Sequence, residues 1–214
     1  MSRGAIILAG GRNSRMGREK WLLPVGNRPV LARMVDVLKN EVEDIIVVLP
    51  YGMDEQLRLQ AEAAVEGAAV RWFCDRKPGG GPLEGLRSAF PHCSHALYLV
   101  AAGDMPFIRW EVAKVLFEAC EEEGTDAAVP VYGGKLHPLF SVYRVGRVLP
   151  SLDAYWAEGR RKVGEWTERL NRTIVSDDTL VKADPSGAAL FNMNTKTDYE
   201  MAKKMAIGID GSKT

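Results

Sequence analysis

Short apolar runs alternate with longer amphipathic stretches along the first 131 residues, and this alternation limits the possible folds more than any other feature of the chain. Strands are predicted at residues 4–8, 45–49, 69–73, 97–101 and 126–131. Helical apolar spacing separates them at residues 30–38, 54–65, 83–90 and 109–122. Strands that are apolar throughout are typical of a parallel sheet, because crossover helices bury both of its faces. The sequence therefore predicts an α/β fold with a mostly parallel central sheet and helices on both faces.

The pattern changes after residue 131. The later predictions are an extended segment at 137–143, helices at 145–158 and 162–170, a short strand at 174–175 and a final helix at 197–205. We predict a single domain over residues 1–206, in which residue 131 ends the first half. A frayed tail is predicted at residues 207–214.

The charge balance argues against two classes of partner. The chain has 28 Lys and Arg and 28 Asp and Glu, so its formal net charge is zero. Proteins that coat nucleic acid or an anionic membrane need an excess of cations, so we expect neither partner. The apolar runs are far shorter than the ~20 residues of a membrane-spanning helix. Three widely spaced cysteines, Cys74, Cys93 and Cys120, form no Cys-x-x-Cys pair and are typical of reduced thiols, so we expect a cytoplasmic protein.

The zero total hides an uneven distribution of charge. Residues 1–40 hold eight Lys and Arg but two Asp and Glu, a net charge of +6, and the remaining residues carry −6. A local excess of cations favours a small polyphosphate ligand over a charged polymer.

The loop after the first predicted strand carries half of this excess, because residues 9–20 hold four Lys and Arg and one Glu. Gly10 and Gly11 let backbone N–H groups approach a phosphate closely, and Arg15 and Lys20 add positive charge. The loop is neither a P-loop nor a Gly-x-Gly-x-x-Gly dinucleotide motif. Ligands of open α/β sheets bind at the carboxyl ends of strands, where this loop begins. We interpret it as an anion-binding loop; a tight turn with solvated charges is the alternative.

Two aspartates follow predicted strands at the same edge of the sheet. Asp104 comes directly after the fourth strand, and one carboxylate together with substrate phosphates commonly holds Mg²⁺. The alternative for Asp104 is a helix N-cap. Asp75 ends the third strand and precedes the glycines at 79–81; from its residue type alone it is an ordinary turn former.

Five blocks span nearly the whole chain. They are Leu8-Ala9-Gly10-Gly11 with Ser14-Arg15-Met16-Gly17, Lys20 and Leu22-Leu23-Pro24; Gly81-Pro82-Leu83-x-Gly85; Asp104-Met105-Pro106-Phe107; His137-Pro138-Leu139-Phe140; and Asn192-x-Asn194-Thr195. In this order they resemble the motifs of MobA-type nucleotidyltransferases, the molybdenum cofactor guanylyltransferases. The resemblance implies a three-layer Rossmann-like nucleotidyltransferase fold, with residues 1–131 as the nucleotide-binding half and 132–206 as the pterin-acceptor half.

The implied reaction transfers GMP from GTP to the terminal phosphate of molybdopterin or molybdenum cofactor, with Mg²⁺, and releases pyrophosphate. The resemblance gives catalytic roles to Lys20, Asp104 and Arg15 and makes Asp104 the metal ligand. It assigns nucleotide or cofactor binding to Leu8, Ala9, Gly10, Gly11, Lys20, Asp75, Gly81, Pro82, Leu83, Asp104, Asn192 and Asn194. Proteins of cofactor biosynthesis and the molybdoenzymes that receive the product are the candidate protein partners.

Three positions depart from the family pattern. Gly103 stands where a Cys is frequent, Glu84 occupies a usually small position, and Tyr51-Gly52 lacks an expected Asn. Three alternatives therefore stay open: a CTP-using molybdopterin cytidylyltransferase, a sugar-1-phosphate nucleotidyltransferase, and a non-catalytic nucleotide- or cofactor-binding protein of the same fold. The Leu-Ala-Gly-Gly start favours the guanylyl branch.

Two later segments have both a structural and a ligand-binding interpretation. Asn192 to Thr195 could bind a pterin or phosphate, or form a turn with Thr195 or Thr197 as the N-cap of the final helix. The basic run 160–162 is interpreted as a solvated loop, with a pterin phosphate or an acidic partner as the alternative ligand. Trp156 and Trp166 are predicted to be core or interface residues.

Overall fold

The computed structural model describes residues 2–10 and 19–211. Its strands are β1 (Arg3–Leu8), β2 (Pro24–Val25), β3 (Arg28–Pro29), β4 (Asp44–Leu49), β5 (Arg71–Cys74), β6 (Leu97–Ala102), β7 (Ala127–Tyr132), β8 (Lys135–Leu136), β9 (Phe140–Arg144) and β10 (Arg172–Val175). Its helices are α1 (Val30–Leu38), α2 (Glu55–Ala64), α3 (Pro82–Ala89), α4 (Trp110–Glu122), α5 (Val145–Ala157), α6 (Val163–Glu168), α7 (Asp177–Ala183) and α8 (Lys196–Gly211).

The main sheet has eight strands in the order β10-β7-β9-β6-β1-β4-β5, and β8 pairs with β7 at its side. Strand β1 lies parallel to β4 and β6, β4 to β5, and β7 to β10, while β9 is antiparallel to both of its neighbours. The predicted mostly parallel sheet is confirmed. The chain leaves β1 toward β4 on one side and returns to β6 on the other, so the connections diverge between β1 and β6. Open α/β sheets bind ligands at such a switch point.

Alternate residues of each strand face opposite layers of helices. In β1, Ala5 and Ile7 pack on one side and Ile6 and Leu8 on the other, and all four are buried. The first side is covered by apolar residues of α1, α4 and α8, and the second by those of α3, α5 and α6. Burial on both faces explains why the strand sequences are continuously apolar, and it gives the three predicted layers.

The C-terminal end differs from the prediction. Helix α8 continues to Gly211, so a frayed tail beginning at residue 207 is wrong for the part up to 211; residues 212–214 lie outside the described residues. Ala202 and Ala206 are buried, and Ile209 packs against the same core. This apolar stripe continues through the last turns and stabilises helix beyond the predicted end at Met205.

Smaller differences concern short elements. Helix α7 and the β2–β3 hairpin were not predicted from the sequence, and the third strand of the prediction begins at Arg71 instead of residue 69. Leu180 packs α7 against the core. A helix of seven residues depends on such tertiary contacts, which the local sequence does not reveal. The three cysteines are free. Across residues 2–10 and 19–211, we find no helix with the length and apolar character needed to span a membrane.

Candidate active site

The loops after β1 and β6 meet at the switch point of the sheet. The backbone N–H of Gly103 donates to the Leu8 carbonyl at 2.8 Å. A Cβ added at Gly103 would lie 2.9 Å from that carbonyl oxygen and 3.0 Å from the Ala9 Cα. Glycine at 103, a departure from the family pattern, thus permits the loop carrying Asp104 to lie directly against the end of β1.

Lys20, Asp104 and Asn194 come together at this edge. The Lys20 Nζ lies 3.0 Å from the Asp104 Oδ2 and 3.2 Å from the Asn194 Oδ1. The two charged side chains are about one-fifth exposed, at 22% and 19%. Lys20 begins a short 3-10 turn that the buried Trp21 anchors to the core. Residues separated by up to 174 positions therefore bring one cation to two acceptor oxygens.

The segment before α8 is fixed on both sides of Asn194. The backbone N–H of Met193 donates to the Asp104 carbonyl at 2.9 Å, and the Met193 side chain is fully buried. The Thr195 Oγ1 accepts from the Asp198 N–H, and the Asp198 Oδ2 accepts from the N–H groups of Asn194 and Thr195. This is a reciprocal capping box, which the Thr-x-x-Asp spacing would have predicted.

Of the two caps considered, Thr195 is the one present, and capping coexists with the placement of Asn194 near Lys20. Burial raises the pKa of Asp198, but hydrogen bonds from Thr195 and Asn194 and the nearby Lys20 charge outweigh it, so this pKa lies below its ordinary value. Asn192 is half-buried, and its Oδ1 has no hydrogen-bond partner in the structure. A buried acceptor of this kind is available to a ligand or a water.

Asp104 does not cap α4. The N-cap residue of that helix is Arg109, and the Asp104 carboxylate instead pairs with Lys20. The alternative interpretation of Asp104 as a helix cap is therefore wrong.

Asp75 follows β5 and lies between the end of β1 and α3. A Cβ at Gly10 would be 3.4 Å from the Asp75 Oδ2, and a Cβ at Gly85 would be 3.5 Å from its Oδ1. Burial, and then the nearby Glu84 carboxylate, raise the pKa of Asp75 to about 6. This carboxylate therefore changes its charge near neutral pH, which is frequent at functional sites.

Glu84 is the unexpected charge of the site. Its side chain is 1% exposed, its Oε2 lies 3.5 Å from the Arg87 Nη1, and its Oε1 has no hydrogen-bond partner. Sequence reasoning identified the position as unusual but could not place its charge beside Asp75. The i, i+3 spacing of Glu84 and Arg87 on α3 was the available signal.

The remaining predicted residues divide into three groups. Gly81 has a positive φ of 65° and precedes α3, Pro82 begins the helix, and the Leu83 side chain is fully buried in the core. The Ala9 N–H donates to the Val48 carbonyl at 2.9 Å and is therefore already occupied within the sheet. Gly11 and Arg15 lie outside the described residues.

The basic run 160–162 has acidic neighbours. Arg160 lies 3.1 Å from the Glu158 carboxylate, and Lys162 lies 2.8 Å from that of Glu165. Arg160 and Lys162 are thus paired with nearby acidic residues, as expected of a solvated loop. Trp166 is buried in the core, as predicted, whereas Trp156 is half-buried next to Arg161.

This geometry defines a class of protein: a three-layer α/β protein with a lysine, a carboxylate and an amide at its switch point. A lysine can bind phosphate, and the oxygens can bind a metal ion. The chain belongs to the MobA-like NTP transferase family, whose domain model matches residues 5–173, and it is a nucleotidyltransferase.

Two curated relatives cover nearly the full chain. A probable molybdenum cofactor guanylyltransferase of Pelotomaculum thermopropionicum is 37% identical over 94% of this chain and 92% of its own length. Another, from Methanosarcina mazei, is 29% identical over 92% of this chain and 88% of its own length.

Solved structures show the same fold. Molybdopterin-guanine dinucleotide biosynthesis protein A from Archaeoglobus fulgidus has a TM-score of 0.79 at 24% identity, covering 96% of this chain and 99% of that chain. The 2-C-methyl-D-erythritol 4-phosphate cytidylyltransferase of Thermus thermophilus has a TM-score of 0.67 at 15% identity, covering 94% and 98%. The expected Rossmann-like nucleotidyltransferase fold is confirmed.

Proposed function

We propose that this nucleotidyltransferase transfers GMP from GTP to the terminal phosphate of molybdopterin or molybdenum cofactor and releases pyrophosphate. The observation that carries the proposal is the Lys20 Nζ held 3.0 Å from the Asp104 carboxylate at the switch point. The guanylyltransferase names of the full-length relatives support the choice of GTP and of the pterin acceptor.

The side-chain oxygens at this edge are of the kind that Mg²⁺ binds. Asp104 offers a carboxylate oxygen and Asn194 an amide oxygen. Both oxygens lie within 3.2 Å of the Lys20 Nζ. Mg²⁺ prefers oxygen ligands and is usually held by one or two carboxylates together with substrate phosphates. Among the described residues no group of three His, Cys, Asp or Glu side chains is placed to bind a metal, so a site completed by the nucleotide is the arrangement that fits.

The reaction needs no side-chain nucleophile. A phosphate monoester has a second pKa of about 6, so the acceptor is largely dianionic at neutral pH. One of its oxygens forms a bond to the α-phosphorus of GTP while the bond from that phosphorus to the oxygen of the β-phosphate breaks. The electron pair of the broken bond leaves with pyrophosphate. The protein has to align the two phosphates and balance their charge.

The residues of the site divide this work. Lys20 would exchange its contact with Asp104 for the phosphates of GTP, and Asp104 would then be free to hold Mg²⁺. Bound Mg²⁺ would stabilise negative charge on the transferred and leaving phosphates. Gly10 is proposed to bind phosphate, and Asp75 and the 79–81 turn are proposed to bind the nucleotide. Phosphate binding by Gly11 and Arg15, which lie outside the described residues, stays a prediction.

The acceptor half is proposed to begin after residue 131. The N–H of Ala102 at the end of β6 donates to the Leu139 carbonyl at 2.9 Å, so the predicted 137–140 block lies beside Asp104. Asn192, with its unpaired buried Oδ1, follows on the same side. These two segments would hold the pterin phosphate within reach of the α-phosphate. Delivery of product to molybdoenzymes and a cytoplasmic location stay predictions.

Turnover with each nucleotide tests the proposal. The purified chain is incubated with Mg²⁺, molybdopterin with or without molybdenum, and GTP, CTP, ATP or UTP, and pyrophosphate is measured. We expect release with GTP that depends on the pterin. A preference for CTP would identify the cytidylyl alternative, and turnover of a sugar 1-phosphate would identify the sugar-nucleotide alternative. Tight GTP binding without turnover would identify a non-catalytic binding protein.

A further inference from the structure

The Gly79–Gly81 turn rests on two side chains from different parts of the chain. A Cβ added at Gly80 would lie 2.5 Å from the Glu84 Cβ and 2.8 Å from the Trp156 Cη2. Glu84 belongs to the helix that follows the turn, whereas Trp156 is on α5, more than 70 residues away. Any side chain larger than hydrogen at position 80 would displace the turn or its supports.

Trp156 is held in place by two guanidinium groups. The Arg87 Cζ lies 4.6 Å from its ring centroid and the Arg161 Cζ lies 3.6 Å from it. Arg161 also donates to the Trp156 carbonyl at 2.9 Å, and Arg87 donates to the Asp153 carboxylate at 3.0 Å. A guanidinium over the face of an indole ring is attracted by the negative charge density of that face. The ring beneath Gly80 is thus a fixed surface.

Glu84 completes the support at a cost to stability. A fully buried carboxylate with one unpaired oxygen loses hydration that its single 3.5 Å contact with Arg87 does not restore. Its Cβ and Cγ are the atoms that face Gly80, at 2.5 and 3.1 Å from the position of a Cβ there. A buried carboxylate with one unpaired oxygen is unfavourable for folding. The presence of Glu84 between the Gly79–Gly81 turn and Asp75 therefore indicates a role in ligand binding.

We propose that Trp156 and Glu84 form a seat for the Gly79–Gly81 turn and thereby set the affinity and base selectivity of nucleotide binding. Neither residue needs to touch the nucleotide, so both are positioning residues. The inference rests on the proposed function, which places the nucleotide against this turn. It also makes α5, an element of the acceptor half, part of the nucleotide site.

Substitution of the indole tests the seat. Trp156→Ala removes the surface under Gly80, and we expect the KM for GTP to rise about tenfold with kcat unchanged, because support for binding is lost without loss of the phosphate machinery. The ratio of kcat/KM for GTP to kcat/KM for ITP or ATP should fall in the same variant. Trp156→Phe keeps a flat ring and should retain most of the affinity and selectivity.

Glu84 has its own matched pair. Glu84→Ala keeps the Cβ but removes the Cγ that faces Gly80, so it should act in the same direction as Trp156→Ala with a smaller effect. Glu84→Gln keeps Cβ and Cγ and should retain wild-type selectivity at pH 8, where Asp75 is ionised in both proteins. Trp110→Ala is the control, since Trp110 is a half-buried tryptophan at the start of α4, on the opposite layer of helices.

Binding of Mg-GTP without acceptor, measured by calorimetry, separates this inference from the proposed function. Wild-type protein that binds GTP but makes no product contradicts the proposed reaction, and the variants still test the seat. A folded Trp156→Ala protein with wild-type GTP affinity and selectivity overturns the seat, and so does an equal loss in Trp110→Ala. Wild-type protein that fails to bind GTP overturns both proposals.

Discussion

Lys20 and Asp104 form an ion pair that the proposed reaction must open, so each should be indispensable. We expect Lys20→Ala and Asp104→Ala each to lower kcat by about 10²–10³, the effect typical of removing one group that stabilises developing negative charge. Pyrophosphate release under saturating GTP measures the loss, and circular dichroism confirms folding. Near-wild-type turnover in a folded variant would remove that residue from the mechanism.

Asp75 should make nucleotide binding depend on pH. Its pKa of about 6 means that the carboxylate becomes protonated as the pH falls through that value, and the KM for GTP should rise. The γ-phosphate of GTP titrates in the same range, so Asp75→Asn supplies the baseline. Removal of the neighbouring charge in Glu84→Gln should move the midpoint of the wild-type profile to lower pH. Identical profiles in all three proteins would contradict the assignment.

The Asp75 carboxyl also affects the stability of the fold, and the direction of this effect follows from its raised pKa. Its pKa in the folded protein lies above the ordinary 3.8, so ionising it costs stability as the pH rises from about 4 to about 6. Below that window the charge is absent in both states and no cost exists. Asp75→Asn should therefore raise the free energy of unfolding at pH 7.5 and leave it unchanged at a pH well below 3.8, as urea denaturation will show.

At the scale of elements, the contact between β1 and β6 decides where Asp104 lies. Gly103→Ala would place a Cβ 2.9 Å from a backbone oxygen that cannot move independently. We expect a loss of about 1–3 kcal/mol in the free energy of unfolding, together with reduced turnover. Gly146→Ala on α5 meets no atom within 4 Å and should be neutral or stabilising. Equal stability of the two variants would show that the strand ends can move apart.

The start of α8 couples a helix cap to the site. Thr195→Ala should cost about 0.5–2 kcal/mol of stability through loss of the cap and should also lower kcat/KM, because Asn194 loses its fixed position. Thr197→Ala is the matched control, since that side chain is exposed within the first turn of the same helix. A stability loss in Thr195→Ala with unchanged kcat/KM would show that the cap is not needed to position Asn194.

At the scale of the whole molecule, GTP and Mg²⁺ should stabilise the fold across its two halves. Ligand at about 100 times its Kd adds about 2.7 kcal/mol when it binds only the folded state. We expect the thermal unfolding midpoint to rise with GTP and Mg²⁺ together. The shift should shrink on chelation, and in Asp104→Ala it should no longer depend on the metal. A shift independent of Mg²⁺ in wild-type protein would contradict the proposed metal site.

The sequence by itself determined the layers and the mostly parallel sheet, and it predicted that Asp104 lies at the sheet edge where the loop after β1 begins. Continuous apolar strands such as β1 require burial on both faces, and glycines or aspartates directly after strands must lie at one sheet edge. The distribution of charge along the sequence likewise favoured a local anion-binding site over a generally basic surface. These properties follow from local periodicity and from the ends of strands, which the chain specifies residue by residue.

Only the tertiary structure decided which distant side chains meet. The contacts of Lys20 with Asn194 and of Trp156 with Gly80 join segments far apart in sequence, and no local spacing encodes their distances. The length of α8 was decided the same way, because its last turns are stabilised by packing against the core instead of by local signals. Burial likewise gave Glu84 its influence on Asp75, since a charge acts strongly on its neighbours only where water is excluded.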